Sequence, residues 1–321
     1  MKPSIFVTRA LPESSLNKLR TYFEVFINPN DRVLEKQEII NHIKNKDALL
    51  CLLTDMIDKA VFDAGNHLKV ISNYAVGFNN IDINEATKRK IPVCITPGIL
   101  TNATADLTWA LILSVARKIV VSDKFTRAGL FEGWAPNLFL GSDIANKTLG
   151  IVGMGRIGSA VAKRARGFDM RIVYTARSDK NIPDAQFVSL SELLATADVV
   201  SLHTPLIPET RHLIDAAQLK QMKKTAYLIN TTRGAVVNEK ALLHALKTGV
   251  IAGAGLDVYE EEPAITPGLT ALDNVVLLPH IGSATIETRT NMALLAVENA
   301  IAIIGGEKPH AIANPEVFNE C

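Results

Sequence analysis

The sequence has no apolar run long enough to cross a bilayer, which takes about 20 residues. Its longest, residues 110–116 with their flanks, stops well short. Net charge is nearly absent too: 34 Lys+Arg against 33 Asp+Glu leave +1, so no field draws a nucleic-acid backbone. Cysteine is scarce. Cys51, Cys94 and Cys321 are odd in number and scattered, with no Cys-x-x-Cys and no Cys/His spacing, which fits a reducing compartment and argues against a structural zinc site. The opening Met1-Lys2-Pro3-Ser4-Ile5 lacks a signal-peptide layout, so the expected location is the cytoplasm. Repeats, low-complexity tracts and Ser/Gly linkers are missing as well. What is present is 321 residues, 48% of them hydrophobic, enough for a sizeable core. At about 150 residues per domain the length suggests about two domains. Composition leaves enzyme and binding module equally open.

Short apolar runs rich in β-branched residues alternate with longer amphipathic stretches, the pattern of parallel strands covered by helices. A first set lies at residues 4–8, 24–27, 48–53, 69–72 and 92–96. A second, larger set lies at 148–153, 170–174, 198–202, 226–230, 253–256 and 275–278. Between them, residues 101–121 predict one bridging helix, capped by Thr101 or Asn102, with Leu107, Leu111, Ile112, Val115 and Ile119 at helical spacing. Residues 286–304 predict a terminal helix, ended by Gly305-Gly306, that returns to the first domain. The expected fold class is α/β: two Rossmann-like doubly wound parallel-sheet domains with the active site in the cleft between them. Residues 1–98 and 287–321 would form the substrate domain. The dinucleotide-binding domain, residues 99–286, would be inserted into it, with hinges near Pro97 and Pro279.

Gly153-Met154-Gly155-Arg156-Ile157-Gly158 follows the strand-like Leu149-Gly150-Ile151-Val152 and precedes a helical stretch beginning at Ser159. In that setting a G-x-G-x-x-G supplies a tight turn, close backbone approach to a pyrophosphate and helix–strand contact, while the helix N-terminus offers free N–H groups. An NAD site would place a carboxylate about 20 residues further on, at the ribose. Ala176 stands there instead, followed by Arg177 and Ser178, a planar cation and a hydroxyl suited to a ribose 2′-phosphate. The expected cofactor is therefore NADP(H), with NAD(H) as the lesser alternative. The plain reading of Arg177 is a solvated loop charge.

Three further runs each end in one reactive side chain. They are Arg233 in Asn230-Thr231-Thr232-Arg233-Gly234, Glu262 in Glu260-Glu261-Glu262-Pro263, and His280 in Pro279-His280-Ile281-Gly282-Ser283. Strand ends of a doubly wound sheet gather at one edge, so these three are expected to converge beside the cofactor. Taken singly, Glu262 has an ordinary reading as a surface acid before a proline and His280 as a capped core imidazole. Of the other histidines only His203, in Ser201-Leu202-His203-Thr204-Pro205, has a comparable setting; it reads as lining the cofactor cleft without doing chemistry.

Together with Tyr74-Ala75-Val76-Gly77-Phe78-Asn79-Asn80-Ile81-Asp82 and the Pro-His-Ile-Gly-Ser-Ala-Thr run at 279–285, these segments resemble the D-isomer-specific 2-hydroxyacid dehydrogenases over essentially the whole chain. Within that family the sequence looks most like the glyoxylate/hydroxypyruvate reductases, including the branch active on 2-ketogluconate, where Thr175-x-Arg177 accompanies NADPH use. The resemblance implies reduction of a small 2-keto acid, with a hydride delivered to C2 and a proton to the oxygen. Arg233 would hold the carboxylate and carbonyl, and the backbone N–H groups of Val76 and Gly77 the other side of the carboxylate. His280 would donate the proton, with Glu262 fixing its tautomer and favouring the imidazolium. The resemblance also implies Arg156 and Ile157 at the pyrophosphate, Thr204, Pro205 and Thr210 on the adenosine side, and Thr104 and Thr231 by the nicotinamide half. Asp257 would lie near the carboxamide, with Gly282 another cofactor contact, and Leu53 and Ser283 would line the substrate pocket. Finally it implies a homodimer through an arm at 120–145, from which Trp134 reaches the partner's site; the plainer reading of Trp134 is dimer packing alone.

Single positions separate the rivals. Glu262 stands where formate dehydrogenases of the family carry Gln. Phosphite dehydrogenases carry Lys at the position of Val76 and an acid at that of Ala176. Long phosphoglycerate dehydrogenases append a regulatory domain, for which too little chain follows His280. A short phosphoglycerate dehydrogenase stays open, as does a non-catalytic NAD(P)-sensing interaction protein on the same fold. Hydroxypyruvate and glyoxylate differ by a hydroxymethyl group, so the choice between them rests on pocket volume near Leu53, Leu100 and Trp134.

Overall fold

The computed structural model describes residues 2–318, so Cys321 lies outside the described residues. The chain divides into two compact units, Met1–Leu100 with Ala284–Cys321, and Thr101–Ser283.

In the first unit β1 (Ser4–Val7), β2 (Glu24–Ile27), β3 (Ala48–Cys51), β4 (Val70–Asn73) and β5 (Val93–Cys94) alternate with α1 (Glu13–Tyr22), α2 (Lys36–Ile43), α3 (Lys59–Ala64) and α4 (Ile83–Lys88). All pairings are parallel, in the order β2-β1-β3-β4-β5. β3 and β4 are buried at every position, as strands covered on both faces must be, and this is why they read as continuous runs rather than alternating ones.

The second unit opens with α5 (Thr101–Ala116) and α6 (Ile119–Arg127), so the single helix expected over 101–121 is in fact two. Lys118, between them, takes the left-handed conformation at φ 53°. The cause is tertiary: the Ala116 carbonyl accepts the Ser142 N–H at 2.8 Å, and a Cβ on Gly141 would lie 2.3 Å from that same oxygen. A segment well along the chain docks on the end of α5 and closes it.

There follow β6 (Thr148–Val152), α7 (Arg156–Ala165), β7 (Arg171–Thr175), β8 (Ala185–Phe187), α8 (Leu190–Thr196), β9 (Val199–Leu202), α9 (Ala216–Leu219), β10 (Tyr227–Asn230), α10 (Glu239–Lys247), β11 (Gly253–Leu256) and β12 (Val275–Leu277). These seven strands form one parallel sheet in the order β12-β11-β10-β9-β6-β7-β8, which reverses direction between β6 and β9. That reversal opens a crevice at the strand ends, the place where such sheets bind ligands. β8 is a strand that the sequence pattern did not predict. α7 begins at Arg156, three residues before the expected Ser159, with Gly155 as its N-cap. Both faces of the sheet are covered. On one, Trp109 of α5 donates from Nε1 to the Val161 carbonyl of α7 at 3.1 Å and stacks on Phe168. On the other, Leu193, Leu219 and Leu242 from α8, α9 and α10 pack over Val200, Leu228 and Ala254.

The last helix, α11 (Ile286–Ile304), has the bounds the sequence predicted and is capped by Thr285, whose side chain accepts the Thr288 N–H. It packs within the first unit, where Ser72 Oγ donates to the Ala296 carbonyl and Tyr74 OH to that of Arg289, each at 2.7 Å. Among the described residues no helix is long and apolar enough to cross a membrane.

Candidate active site

At the end of β6 the chain turns through Gly153, whose φ of 99° suits glycine alone. A Cβ there would lie 2.7 Å from the His203 carbonyl, and one on Gly158 would lie 2.2 Å from Gly153 O, so the loop, the end of β9 and the start of α7 are in direct backbone contact. A Cβ on Gly155 would meet nothing within 4 Å. The N-terminus of α7 thus faces open space. Beside this loop, His203 Nδ1 and Thr204 Oγ1 are enclosed without a hydrogen-bond partner. Buried polar atoms are rarely left so, and this pair fits a polar ligand seated on the glycine loop. His203 Nε2 lies 2.8 Å from Ser201 Oγ, and burial pushes the imidazole down to about 3, so it is neutral at physiological pH.

Arg177 and Ser178 follow β7 and are exposed, as is Arg156 at the head of α7. Tyr174 shapes the loop after β7. Its hydroxyl donates to Asp179 and accepts the Lys180 N–H, while Lys180 Nζ donates to Ser178 Oγ at 3.2 Å. Thr210 closes the 205–210 loop by donating to the Pro205 carbonyl at 2.6 Å. Thr104 donates to the Gly282 carbonyl at 3.1 Å, and Thr231 Oγ1 lies 3.1 Å from that of Thr108.

At the end of β10, Asn230 Oδ1 accepts both the N–H and the hydroxyl of Thr232, and its Nδ2 donates to the Arg233 carbonyl at 3.0 Å. This turn launches Arg233, whose Nη1 donates to the Thr232 carbonyl. Burial lowers the Arg233 guanidinium pKa, and the charge of Glu262 opposes that fall. At the end of β11, buried Asp257 accepts the N–H groups of Ile281 at 2.7 Å and Gly282 at 2.8 Å, clamping the turn that follows His280. Burial raises its carboxyl; the two amides and His280 pull it back.

Glu262 Oε1 accepts the Tyr259 N–H at 3.0 Å, and its Oε2 lies 2.8 Å from His280 Nδ1. Tyr259 in turn donates from its hydroxyl to the Leu278 carbonyl, tying the strand end that carries Glu262 to the one that carries His280. Burial alone would raise the Glu262 carboxyl, but the hydrogen bond and charge of His280 outweigh it, and the group sits below its ordinary value. An ionised Glu262 accepts the proton on Nδ1, which leaves Nε2 as the nitrogen free to exchange one. The structure therefore brings together Glu262 and His280, with Arg233 within electrostatic reach, as the strand-end argument expected.

Other expected residues lie in the first unit. Gly77, just past β4, has its carbonyl held by Asn73 Nδ2 at 2.9 Å, beside Val76; Leu53 is half-exposed after β3. Trp134, after α6 in the second unit, is 85% exposed. Sequence reasoning missed Tyr259, Thr108 and Ser201. Ser201 had a signal, its place two residues before His203 on one strand face; Tyr259 and Thr108 had none, because Leu278 and Thr231, which their hydroxyls meet, are distant in sequence.

Residues 109–282 match the family described as "D-isomer specific 2-hydroxyacid dehydrogenase, NAD binding domain". The chain belongs to this family and is an NAD(P)-dependent 2-hydroxyacid dehydrogenase. It is 49% identical over 325 residues to the glyoxylate reductase of Thermococcus kodakarensis, covering 99% of this chain and 98% of that protein. Among solved structures, a Thermus thermophilus protein superposes with a TM-score of 0.92 at 47% identity, over 97% of this chain and 99% of that one. The NADPH-dependent glyoxylate/hydroxypyruvate reductase of Sinorhizobium meliloti, solved with NADP and malonate, superposes with a TM-score of 0.90 at 29% identity, over 100% and 99%.

Proposed function

We propose that this enzyme reduces glyoxylate and hydroxypyruvate, and the bulkier 2-ketogluconate, with NADPH as the preferred reductant. The observation that carries this reading is the Glu262–His280 pair at 2.8 Å beside Arg233, set on the ends of neighbouring strands. The nicotinamide, when bound, supplies the hydride. The chain supplies the rest. Arg233 presents a planar fork of donors to the substrate carboxylate and carbonyl, polarising C2 and stabilising the alkoxide charge that develops. His280 delivers a proton from Nε2 to that oxygen while Glu262 holds Nδ1–H and stabilises the ring's charge. Val76, Gly77, Leu53 and Ser283 as substrate contacts rest on the family resemblance.

The residues present fit a dinucleotide. Gly153, Gly155, Arg156, Ile157 and Gly158 would receive the pyrophosphate at the head of α7. His203 and Thr204 offer enclosed polar atoms that want a partner. Arg177 and Ser178, exposed after β7, would receive a 2′-phosphate, and Pro205, Thr210, Thr104, Thr231, Asp257 and Gly282 complete the proposed set. Preference for NADPH rests on Arg177 in place of an acid. Arg177→Asp should weaken NADPH by about tenfold or more and NADH little, the loss of one charge-assisted contact to phosphate. Cofactor fluorescence titration checks this; equal loss for both cofactors would make Arg177 a mere surface charge.

Assembly as a homodimer through the 120–145 arm is part of the same reading, supported by the exposed apolar side chains there. Purified enzyme mixed with NADPH and a panel of glyoxylate, hydroxypyruvate, 2-ketogluconate and 3-phosphohydroxypyruvate tests the substrate assignment through nicotinamide absorbance. Turnover of the phosphorylated acid alone would favour a phosphoglycerate dehydrogenase, and none with any keto acid would defeat the proposal.

A further inference from the structure

Behind the catalytic pair lies a second group of titratable side chains that the chemistry above does not use. Glu239, the first residue of α10, is only 2% exposed, and among the described residues it takes part in no ion pair. Both of its oxygens accept hydrogen bonds: Oε1 from the Glu260 N–H at 2.5 Å, and Oε2 from the Thr266 hydroxyl at 2.7 Å. These two donors bracket the segment that carries Glu262. The Tyr259–Glu260 peptide is also pressed against Gly234, the residue after Arg233, where a Cβ would lie 1.8 Å from the Tyr259 carbonyl carbon. Glu260 completes the group. Its carboxylate lies 2.5 Å from His212 Nε2 and 3.6 Å from an Arg211 nitrogen, and it accepts the Glu239 N–H at 3.4 Å.

Burying a carboxyl is costly, and such a group persists where its hydrogen bonds fix something specific. Here both side-chain bonds go to one loop. We propose that Glu239 is a positioning residue for the proton-transfer pair, acting through residues 259–266 to set Glu262 against His280 Nδ1. The chain of contacts is short. Glu239 holds the Glu260 N–H, which fixes the peptide following Tyr259, and the neighbouring Tyr259 N–H is the donor that orients Glu262. Without Glu239 the half-buried Glu260 N–H loses its partner and the loop shifts to find another. A shift of about 1 Å is enough to break the Glu262–His280 hydrogen bond. The inference rests on the reading of His280 and Glu262 as the proton-transfer pair.

The test uses the full-length enzyme in four variants: Glu239→Ala, Glu239→Gln, Thr266→Val and, as reference, Glu262→Gln. Steady-state kcat and KM for glyoxylate with NADPH are measured across pH, together with cofactor dissociation by fluorescence and folded fraction by circular dichroism. Glu239→Ala should lower kcat by about 10- to 100-fold, the scale of a small misplacement of a catalytic group, with cofactor affinity unchanged within about twofold. Its pH–rate profile should change in the same way as that of Glu262→Gln, because both variants disturb the Glu262–His280 hydrogen bond. Glu239→Gln keeps a carbonyl to accept the Glu260 N–H and should restore most of kcat, and Thr266→Val should fall between. A folded Glu239→Ala with parental kcat and pH profile, beside an impaired Glu262→Gln, would overturn the positioning role alone. An unimpaired Glu262→Gln would overturn the pair and this proposal with it. If Glu239→Ala does not fold, Thr266→Val decides on the same readouts, and parental behaviour there overturns the proposal.

Discussion

The protein treats two histidines near its strand ends in opposite ways. His280 is half-exposed at a strand end, takes φ 55°, and is partnered by an ionised Glu262. His203 is enclosed, has only the hydroxyl of Ser201 for company, and is held neutral by burial. The first has a carboxylate on Nδ1 and its other ring nitrogen free of that bond; the second, held neutral, can only give or take a hydrogen bond. His280→Ala should therefore lower kcat by about 10²- to 10⁴-fold, the usual range for a positioned general acid, with little effect on cofactor dissociation. An unchanged rate in single-turnover reduction would remove His280 from the mechanism. For His203 the consequence is a stability that depends on pH. Its folded value of about 3 lies below the ordinary 6.5, so between those two limits the unfolded chain binds a proton that the folded chain does not. Stability is complete above about pH 6.5 and falls as pH drops toward 3. Urea unfolding should show His203→Gln losing less stability than the parent between about pH 7 and pH 4.5, by on the order of 2 kcal/mol. Parallel pH dependence in the two proteins would show that the imidazole is not enclosed in solution.

At the scale of elements, most strands were legible because parallel strands covered on both faces must be apolar at nearly every position; Ala48-Leu49-Leu50-Cys51 announces itself without any partner. The strand ends that bring the candidate site together were legible for a related reason. Arg233, Glu262 and His280 each follow an apolar run, and the doubly wound topology does the gathering. What could not be read are features decided by distant backbone. β8 is three residues long, with only Ala185 partly covered, too short for a pattern. The break between α5 and α6 falls within continuous helical periodicity, and its cause lies well beyond that window, where Gly141 and Ser142 dock on the Ala116 carbonyl. Glu239 was passed over for the same reason, since its partners at 260 and 266 give no local sign. If docking at Gly141 ends α5, then Gly141→Ala, which would place a Cβ 2.3 Å from that carbonyl, must push the two segments apart. The expected cost is about 1–3 kcal/mol of stability, as for other overpacked sites, measured by urea unfolding. No change would mean that the contact is slack and that something else stops the helix.

At the scale of the whole molecule, the near-neutral charge leaves no net field, while Arg156, Arg177 and Arg233 each follow a strand of the seven-stranded sheet, where the proposed function puts small anions. Apolar surface is concentrated too. Leu130, Phe131, Trp134 and Leu140 are all more than half exposed within one short segment following α6. A cluster of large apolar side chains on a short stretch is the mark of an interaction surface, and the proposed homodimer would cover it with a self-complementary contact about a twofold axis. The double variant Phe131→Asp/Trp134→Asp places charge at the heart of such an interface and should halve the mass measured by light scattering, with circular dichroism unchanged. Trp134→Ala alone separates the two roles open to this side chain. If it reaches a partner's substrate, the dimer persists while KM for hydroxypyruvate rises by about 3- to 30-fold, the equivalent of about 0.7–2 kcal/mol of lost apolar contact. If it only packs, the dimer weakens on dilution and KM at high enzyme concentration stays parental. A double variant that keeps the parental mass would show that this surface does not mediate self-association.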